Sequence, residues 1–166
     1  AIKECPVTKI KEDILSYAIE LSKKCEPEDD RIHPKVAALL IREGEDGEIK
    51  VIAEAFRNET GDGEHAESIL LLKMGRHKGP YTLITTLEPC TTRRHRNFKS
   101  CTDLILHYKN RIWRVIVGHP DPNPEIEGEG ILKLKDAGVI VEVFPPSLME
   151  AIEKLNEEFI KQYSDP

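Results

Sequence analysis

The sequence predicts an α/β fold, a three-layer α/β/α sandwich on a five-stranded mixed sheet. Three observations carry that reading. Apolar runs of strand length alternate with segments of helical period between Val36 and Phe144. The first two runs are separated only by a glycine-containing turn, which predicts an antiparallel hairpin. Each later run is reached through a helix, which predicts parallel neighbours and right-handed crossovers.

The first helix is expected over about Thr8–Cys25, where Ile10, Ile14, Leu15, Ala18 and Leu21 recur at helical spacing. A polar loop, Glu26–Asp30, follows it. Val36–Ile41 is a continuous apolar run, Gly44 and Asp46-Gly47 mark a turn, and Ile49–Ala55 returns as the second strand. The loop Phe56–Gly63 leads to a helix over Glu64–Met74, whose residues Ile69–Leu72 predict a wide apolar face against a sheet, with Gly75 as the stop. Tyr81–Leu87 is the third strand, ended at Glu88-Pro89 because proline cannot donate to a ladder. After a basic stretch come a short helix Cys101–Tyr108, a strand Ile112–Val117, a helix Gly128–Ala137 and a strand Val139–Phe144. Ser147 and Glu150 predict a capping box for a last helix with Leu148, Ile152, Leu155, Phe159 and Tyr163 on one face. No repeat or compositional break interrupts the chain, so residues 1–166 are expected to form a single domain.

Composition narrows the function. Hydrophobic residues at 39% and charged residues at 33% describe a water-soluble globular protein. No apolar run approaches the roughly 20 residues that span a bilayer, and no signal-peptide core precedes the first helix. The expected compartment is therefore cytoplasmic, with no membrane partner. A net charge of -6 excludes a protein that coats nucleic acid through overall charge. Four cysteines in such a chain favour metal binding or burial over a disulfide framework. Cys5 and Cys25 stand in no motif and read as structural.

The chemistry concentrates in two places. His65-Ala66-Glu67 opens the second helix, and Pro89-Cys90 follows the third strand, with Cys101 at the start of the third helix. Strand ends that meet helix starts form the ligand-binding edge of an α/β sheet. Two thiolates neutralise a zinc dication, and helix N-termini favour the thiolate form. His65, Cys90 and Cys101 supply three protein ligands for one Zn2+ per chain, which leaves a fourth position open to water and lowers that water's pKa to about 7. Glu67, two positions after the histidine, is placed to move the water's proton to a ring nitrogen and then to a leaving amine. The expected reaction is hydrolytic deamination, with zinc-bound hydroxide attacking the amino-bearing ring carbon.

In this order the motifs resemble the cytidine deaminase superfamily, through His65-Ala66-Glu67 and Leu87-Glu88-Pro89-Cys90. Within it, Thr86–Cys90, Asp121-Pro122-Asn123-Pro124 and the helix Gly130–Gly138 resemble the bacterial riboflavin-biosynthesis (diaminohydroxyphosphoribosylaminopyrimidine) deaminase domain. The resemblance covers roughly Val36–Phe144. It implies a cytidine deaminase-like fold, His65, Cys90 and Cys101 as zinc ligands, Glu67 as proton shuttle, Asp121 and Asn123 beside the substrate, and a homo-oligomer, a dimer. His33 stands where that family has an asparagine, and Asn58 in the loop before His65 joins the candidate substrate-binding residues. The segment between the two cysteines departs from the family: it is longer, lacks the usual prolines and carries Arg93, Arg94, Arg96 and Lys99. These 166 residues are not expected to include the reductase domain often fused to that deaminase.

Arginines beside the pocket mouth suit an anionic substrate. Arg94 and Arg96 are accordingly candidates for binding the phosphate of a small aminopyrimidine nucleotide. Two alternatives remain open on the residues. One is a cytosine or adenine deaminase acting on single-stranded DNA or RNA, with His95 and Phe98 stacking on a base. The other is a closed structural zinc module.

Overall fold

A computed structural model describes residues 10–76, 78–93 and 99–164. Among these residues the order is α1 (Glu12–Ser22), β1 (Ala37–Glu43), β2 (Ile49–Phe56), α2 (Ala66–Met74), β3 (Tyr81–Thr85), α3 (Cys101–His107), β4 (Ile112–Val117), α4 (Glu129–Asp136), β5 (Ile140–Val143), α5 (Pro146–Leu155) and α6 (Glu157–Lys161). The strands form one mixed sheet in the order β2-β1-β3-β4-β5. β1 is antiparallel to both β2 and β3, whereas β3, β4 and β5 run parallel.

Strand β1 lies inside the sheet, and its residues Ala37–Ile41 are fully buried, which is why that run reads as continuously apolar. Period-two alternation sorts its side chains between the faces. Leu40, Leu83 and Val115 form one cross-strand row beneath α2, α3 and α4. Leu39, Ile84 and Ile116 form the opposite row beneath α1 and α5. Helices therefore cover both faces, as expected.

Several boundaries differ from the sequence expectation. Helix α1 is shorter at both ends, and Cys5 lies outside the described residues. Leu72 is 83% exposed, because four consecutive helical residues turn through about 300° and cannot share one face. The capping box does not form: α5 starts at Pro146, with Pro145 extended before it (φ -56°, ψ 149°). Proline at the first helical position is pre-set for that conformation, so Ser147 falls inside the first turn. The expected single last helix is divided at Asn156 (φ -108°, ψ 23°) into α5 and α6. Cys25 is buried and its thiol donates to the Val36 carbonyl at 3.4 Å, in keeping with a structural role.

Candidate active site

The edge of the sheet formed by the carboxyl ends of β3 and β4 gathers the chemistry. The loop after β2 is closed by Asn58, in a left-handed conformation (φ 69°). Its side chain accepts from Gly63 N at 3.1 Å and donates to the Glu26 carbonyl at 3.2 Å. This loop delivers His65 in extended conformation as the N-cap of α2 (φ -76°, ψ 144°). On the other strand, Cys90 is held by its carbonyl, which accepts from Thr102 N at 3.1 Å. Thr102 Oγ1 donates to the Pro89 carbonyl at 3.1 Å. Cys101 is the first residue of α3, whose N-cap Ser100 accepts from Asp103 N at 3.1 Å.

These three side chains converge. His65 Nδ1 lies 3.4 Å from Cys101 Sγ and 3.6 Å from Cys90 Sγ, and the donor atoms all fall within 4.8 Å of one another. Tetrahedral zinc with bonds of about 2.0–2.3 Å requires ligand separations near 3.5 Å. The donor set therefore fits zinc in both distance and softness, and leaves a position that no protein atom of the trio fills.

The electrostatics point the same way. Cys101 N–H donates to Cys90 Sγ at 3.3 Å. Hydrogen bonding from the Cys101 thiol, opposed by burial and assisted by His65, holds the Cys90 thiol down at about 4. The Cys101 thiol is pushed well up by that thiolate beside it, by burial and by Glu67. A half-buried and a buried cysteine this close suit a dication, whose binding would release thiol protons.

Glu67 sits in the first turn of α2, only 4% exposed. Burial pushes its carboxyl up, against the pull of His65, and the nearby Cys90 adds to the rise. Thr85 Oγ1 lies 2.9 Å from Glu67 Oε1 and 3.0 Å from the Leu87 carbonyl. A hydroxyl has one proton and two acceptor sites. Thr85 can thus donate to the ionised carboxylate, or donate to Leu87 while accepting from the protonated acid. Either state of Glu67 finds a partner in this arrangement.

A cavity of about 120 Å³ adjoins these groups, lined among others by Pro34, Arg57, Glu67, Cys90, Asp121 and Phe159. Of the remaining sequence candidates, Asp121 is on the cavity. Asn123 is in the loop beside it, where its N–H donates to Asp121 Oδ1 at 2.9 Å and its side chain accepts from Glu125 N at 3.1 Å. His33 bonds Asp29 at 3.0 Å and lies 3.5 Å from the Arg57 guanidinium, while Arg57 itself is paired with Glu28 at 2.7 Å. Asn58 shapes the loop before His65 rather than lining the cavity. Arg94, Arg96, His95 and Phe98 lie outside the described residues. Arg93 reaches Ser68 Oγ and the Gly63 carbonyl, each at 3.5 Å.

Sequence reasoning missed Glu88, a carboxylate only 4% exposed on the same cavity. Its Oε1 accepts from Asp121 N and Gly128 N, each at 2.9 Å, and its Oε2 accepts from Ile131 N at 3.0 Å. It ties the metal-ligand loop to the Asp121 loop and to the start of α4. The available signal was an acid closing an otherwise apolar run directly before Pro89-Cys90. Gly130 makes the same junction close: a Cβ there would stand 2.4 Å from the Pro89 carbonyl oxygen.

Residues 8–119 match the family described as the cytidine and deoxycytidylate deaminase zinc-binding region. The riboflavin biosynthesis protein RibD of Aquifex aeolicus is 33% identical over 153 residues, 92% of this chain and 39% of that protein. RibD of Escherichia coli is 29% identical over 130 residues, 78% of this chain and 32% of that protein. Among solved structures, Acinetobacter baumannii RibD superposes with a TM-score of 0.73 at 30% identity, covering 92% of this chain and 40% of that one. The Aspergillus oryzae Rib2 deaminase, at 21% identity and a TM-score of 0.72 over 92% of this chain and 97% of that one, shares the fold. The chain spans about two fifths or less of the length of the curated relatives quoted (39% and 32%). The family match covers most of the chain and contains the convergent His65, Cys90 and Cys101, so the chain belongs to the cytidine and deoxycytidylate deaminase family of zinc-binding regions.

Proposed function

We propose that residues 1–166 form a zinc-dependent deaminase domain that hydrolyses the amino group of an aminopyrimidine-type nucleotide or base, similar to the deaminase of riboflavin biosynthesis. One observation carries the reading: a buried carboxyl, Glu67, lines the same small cavity as His65 and Cys90, the two residues that converge with Cys101 behind it. A structural metal site has no use for a proton carrier at that position. Among the described residues, no helix is long and apolar enough to cross a membrane; we assign the protein to the cytoplasm and its substrate to the small molecules found there.

His65, Cys90 and Cys101 would hold the zinc, which supplies Lewis acidity that makes a water molecule nucleophilic near neutral pH. Glu67 accepts the proton of that water on its carboxylate and returns it to the ring nitrogen, with Thr85 Oγ1 partnering each state. A second proton passes by the same carboxylate to the departing amine, so each turnover consumes one water and releases one ammonia. The Asp121 carboxyl, raised by burial and by Glu88 and Cys90 against the bond from Asn123 N–H, is placed to recognise a polar edge of the ring. The backbone of its loop is fixed by Glu88.

The named relatives support a riboflavin-pathway type of substrate over single-stranded nucleic acid. The test is ammonia release from free bases, nucleosides, nucleotides, the diaminohydroxyphosphoribosylaminopyrimidine and oligonucleotides, with wild-type protein and Glu67→Gln. The reading expects turnover of an aminopyrimidine that requires Glu67. Turnover undiminished in Glu67→Gln, or none on any amino-heterocycle, would refute it.

A further inference from the structure

One wall of the cavity comes from beyond the residues that match the family, which end at 119. Phe159 lines the cavity from α6, and α6 is fastened at both ends to the segment just before β1. Before it, buried Asn156 accepts from Lys35 N at 2.7 Å, and its amide group donates to the Ile152 carbonyl at 3.2 Å and towards the Lys35 carbonyl at 3.5 Å. After it, Gln162 Nε2 donates to the Ile32 carbonyl at 3.4 Å. Pro34, between the two anchor points, lines the same cavity. The satisfied contacts of buried Asn156 select a single geometry, and the exposed Gln162 bond adds a second point of attachment. Tyr163 makes an edge-to-face contact with Phe159 (5.6 Å, 73°) and supports the ring.

The chemistry of the cavity gives this wall a purpose. Arg57, Glu67, Glu88 and Asp121 offer charge and hydrogen bonds, but a planar heterocycle also needs a face to lie against. Among the described lining residues, Phe159 contributes the only phenyl ring. At about 120 Å³, the cavity is well below the roughly 300–1,000 Å³ that enclose a whole drug-sized ligand. It has room for a ring, with the rest of a nucleotide outside.

We propose that Phe159 is a specificity-determining residue: the substrate heterocycle packs on its ring, and the Asn156 and Gln162 clasps set its position. This assignment rests on the aminopyrimidine reading above. Its test uses the zinc-loaded Glu67→Gln protein, so that no turnover intervenes, and titration calorimetry with triaminopyrimidinone, the base alone. Adding Phe159→Ala should weaken ring binding about tenfold, and Phe159→Leu should weaken it less, in line with the worth of an aromatic contact. Phe159→Tyr should restore affinity, with zinc content unchanged throughout. In the active background, Phe159→Ala should raise KM and leave kcat close to wild type. Ring binding by the Ala and Leu variants equal to that of the parent, or no binding by the parent, would overturn the assignment. Phe159-dependent binding without ammonia release by the wild type would sustain it while refuting the deaminase reading; ammonia release without a Phe159 effect would do the reverse.

Discussion

Two parts of the site are built in different ways. His65, Cys90 and Cys101 come from the starts of two adjacent helices and the loop after β3, each fixed by contacts close at hand: the Asn58 loop closure, the Thr102 bonds and the Ser100 cap. Pro34, Arg57, Asp121 and Phe159 come from four separate segments and depend on clasps between distant parts of the chain, such as Asn156 to Lys35, 121 residues apart. The ligand corner is thus locally specified and built from three residues of two types, histidine and cysteine, that few other purposes bring together. The remaining lining consists of common side chains placed by tertiary structure. On the proposed function, the first part would carry the reaction and the second would select the substrate.

Substitutions can break or sharpen this contrast. The largest effect is expected in the ligand corner, where Cys101→Ala removes one of three ligands from a buried site. Zinc measured by elemental analysis should fall from about one per chain to near zero after dialysis, and activity should go with it. Chelation of the wild type should give the same loss, reversed by adding zinc back. Glu67→Gln should keep its zinc and lose about 10²–10⁴ of the rate, the usual worth of a general acid–base group. Stopped ammonia assays at saturating substrate measure this, and a loss below tenfold would detach Glu67 from the chemistry.

At the junction of the two parts, Glu88→Ala strands three backbone N–H groups and should lower stability by about 3 kcal/mol in denaturant unfolding. Zinc content should be retained, because no ligand atom is touched. Gly130→Ala places a methyl group 2.4 Å from the Pro89 carbonyl oxygen; separating α4 from that loop should cost about 1–3 kcal/mol. The smallest effect belongs to the outer surface. Lys154 and Glu150 form an exposed pair at 3.6 Å, and Lys154→Ala should leave the unfolding midpoint and activity unchanged.

The legibility of the sequence follows the same division. Strand β1 was readable because an inner strand buried on both faces must be apolar throughout, and Val36–Ile41 is. The ligands were readable because a histidine and two cysteines at strand and helix ends have few other uses together. The capping box failed because Pro145-Pro146 fixes the start of α5 before Ser147 can act. The break between α5 and α6 was hidden because Asn156 is recruited by Lys35, a partner that no local pattern announces. Glu88 was hidden for the same reason: its three donors lie beyond residue 120. Phe159 reads as one more member of an apolar helical stripe until the break turns it into the cavity.

The central claim is that His65, Cys90 and Cys101 hold zinc as an open, three-ligand centre. X-ray absorption at the zinc edge of the purified, zinc-loaded protein tests it most directly. The account predicts two sulfur ligands at about 2.3 Å, one imidazole nitrogen and one solvent oxygen at about 2.0–2.1 Å. It also predicts that an added aminopyrimidine perturbs the oxygen shell but not the sulfur shell. A centre with a fourth protein ligand, indifferent to aminopyrimidines, would contradict it.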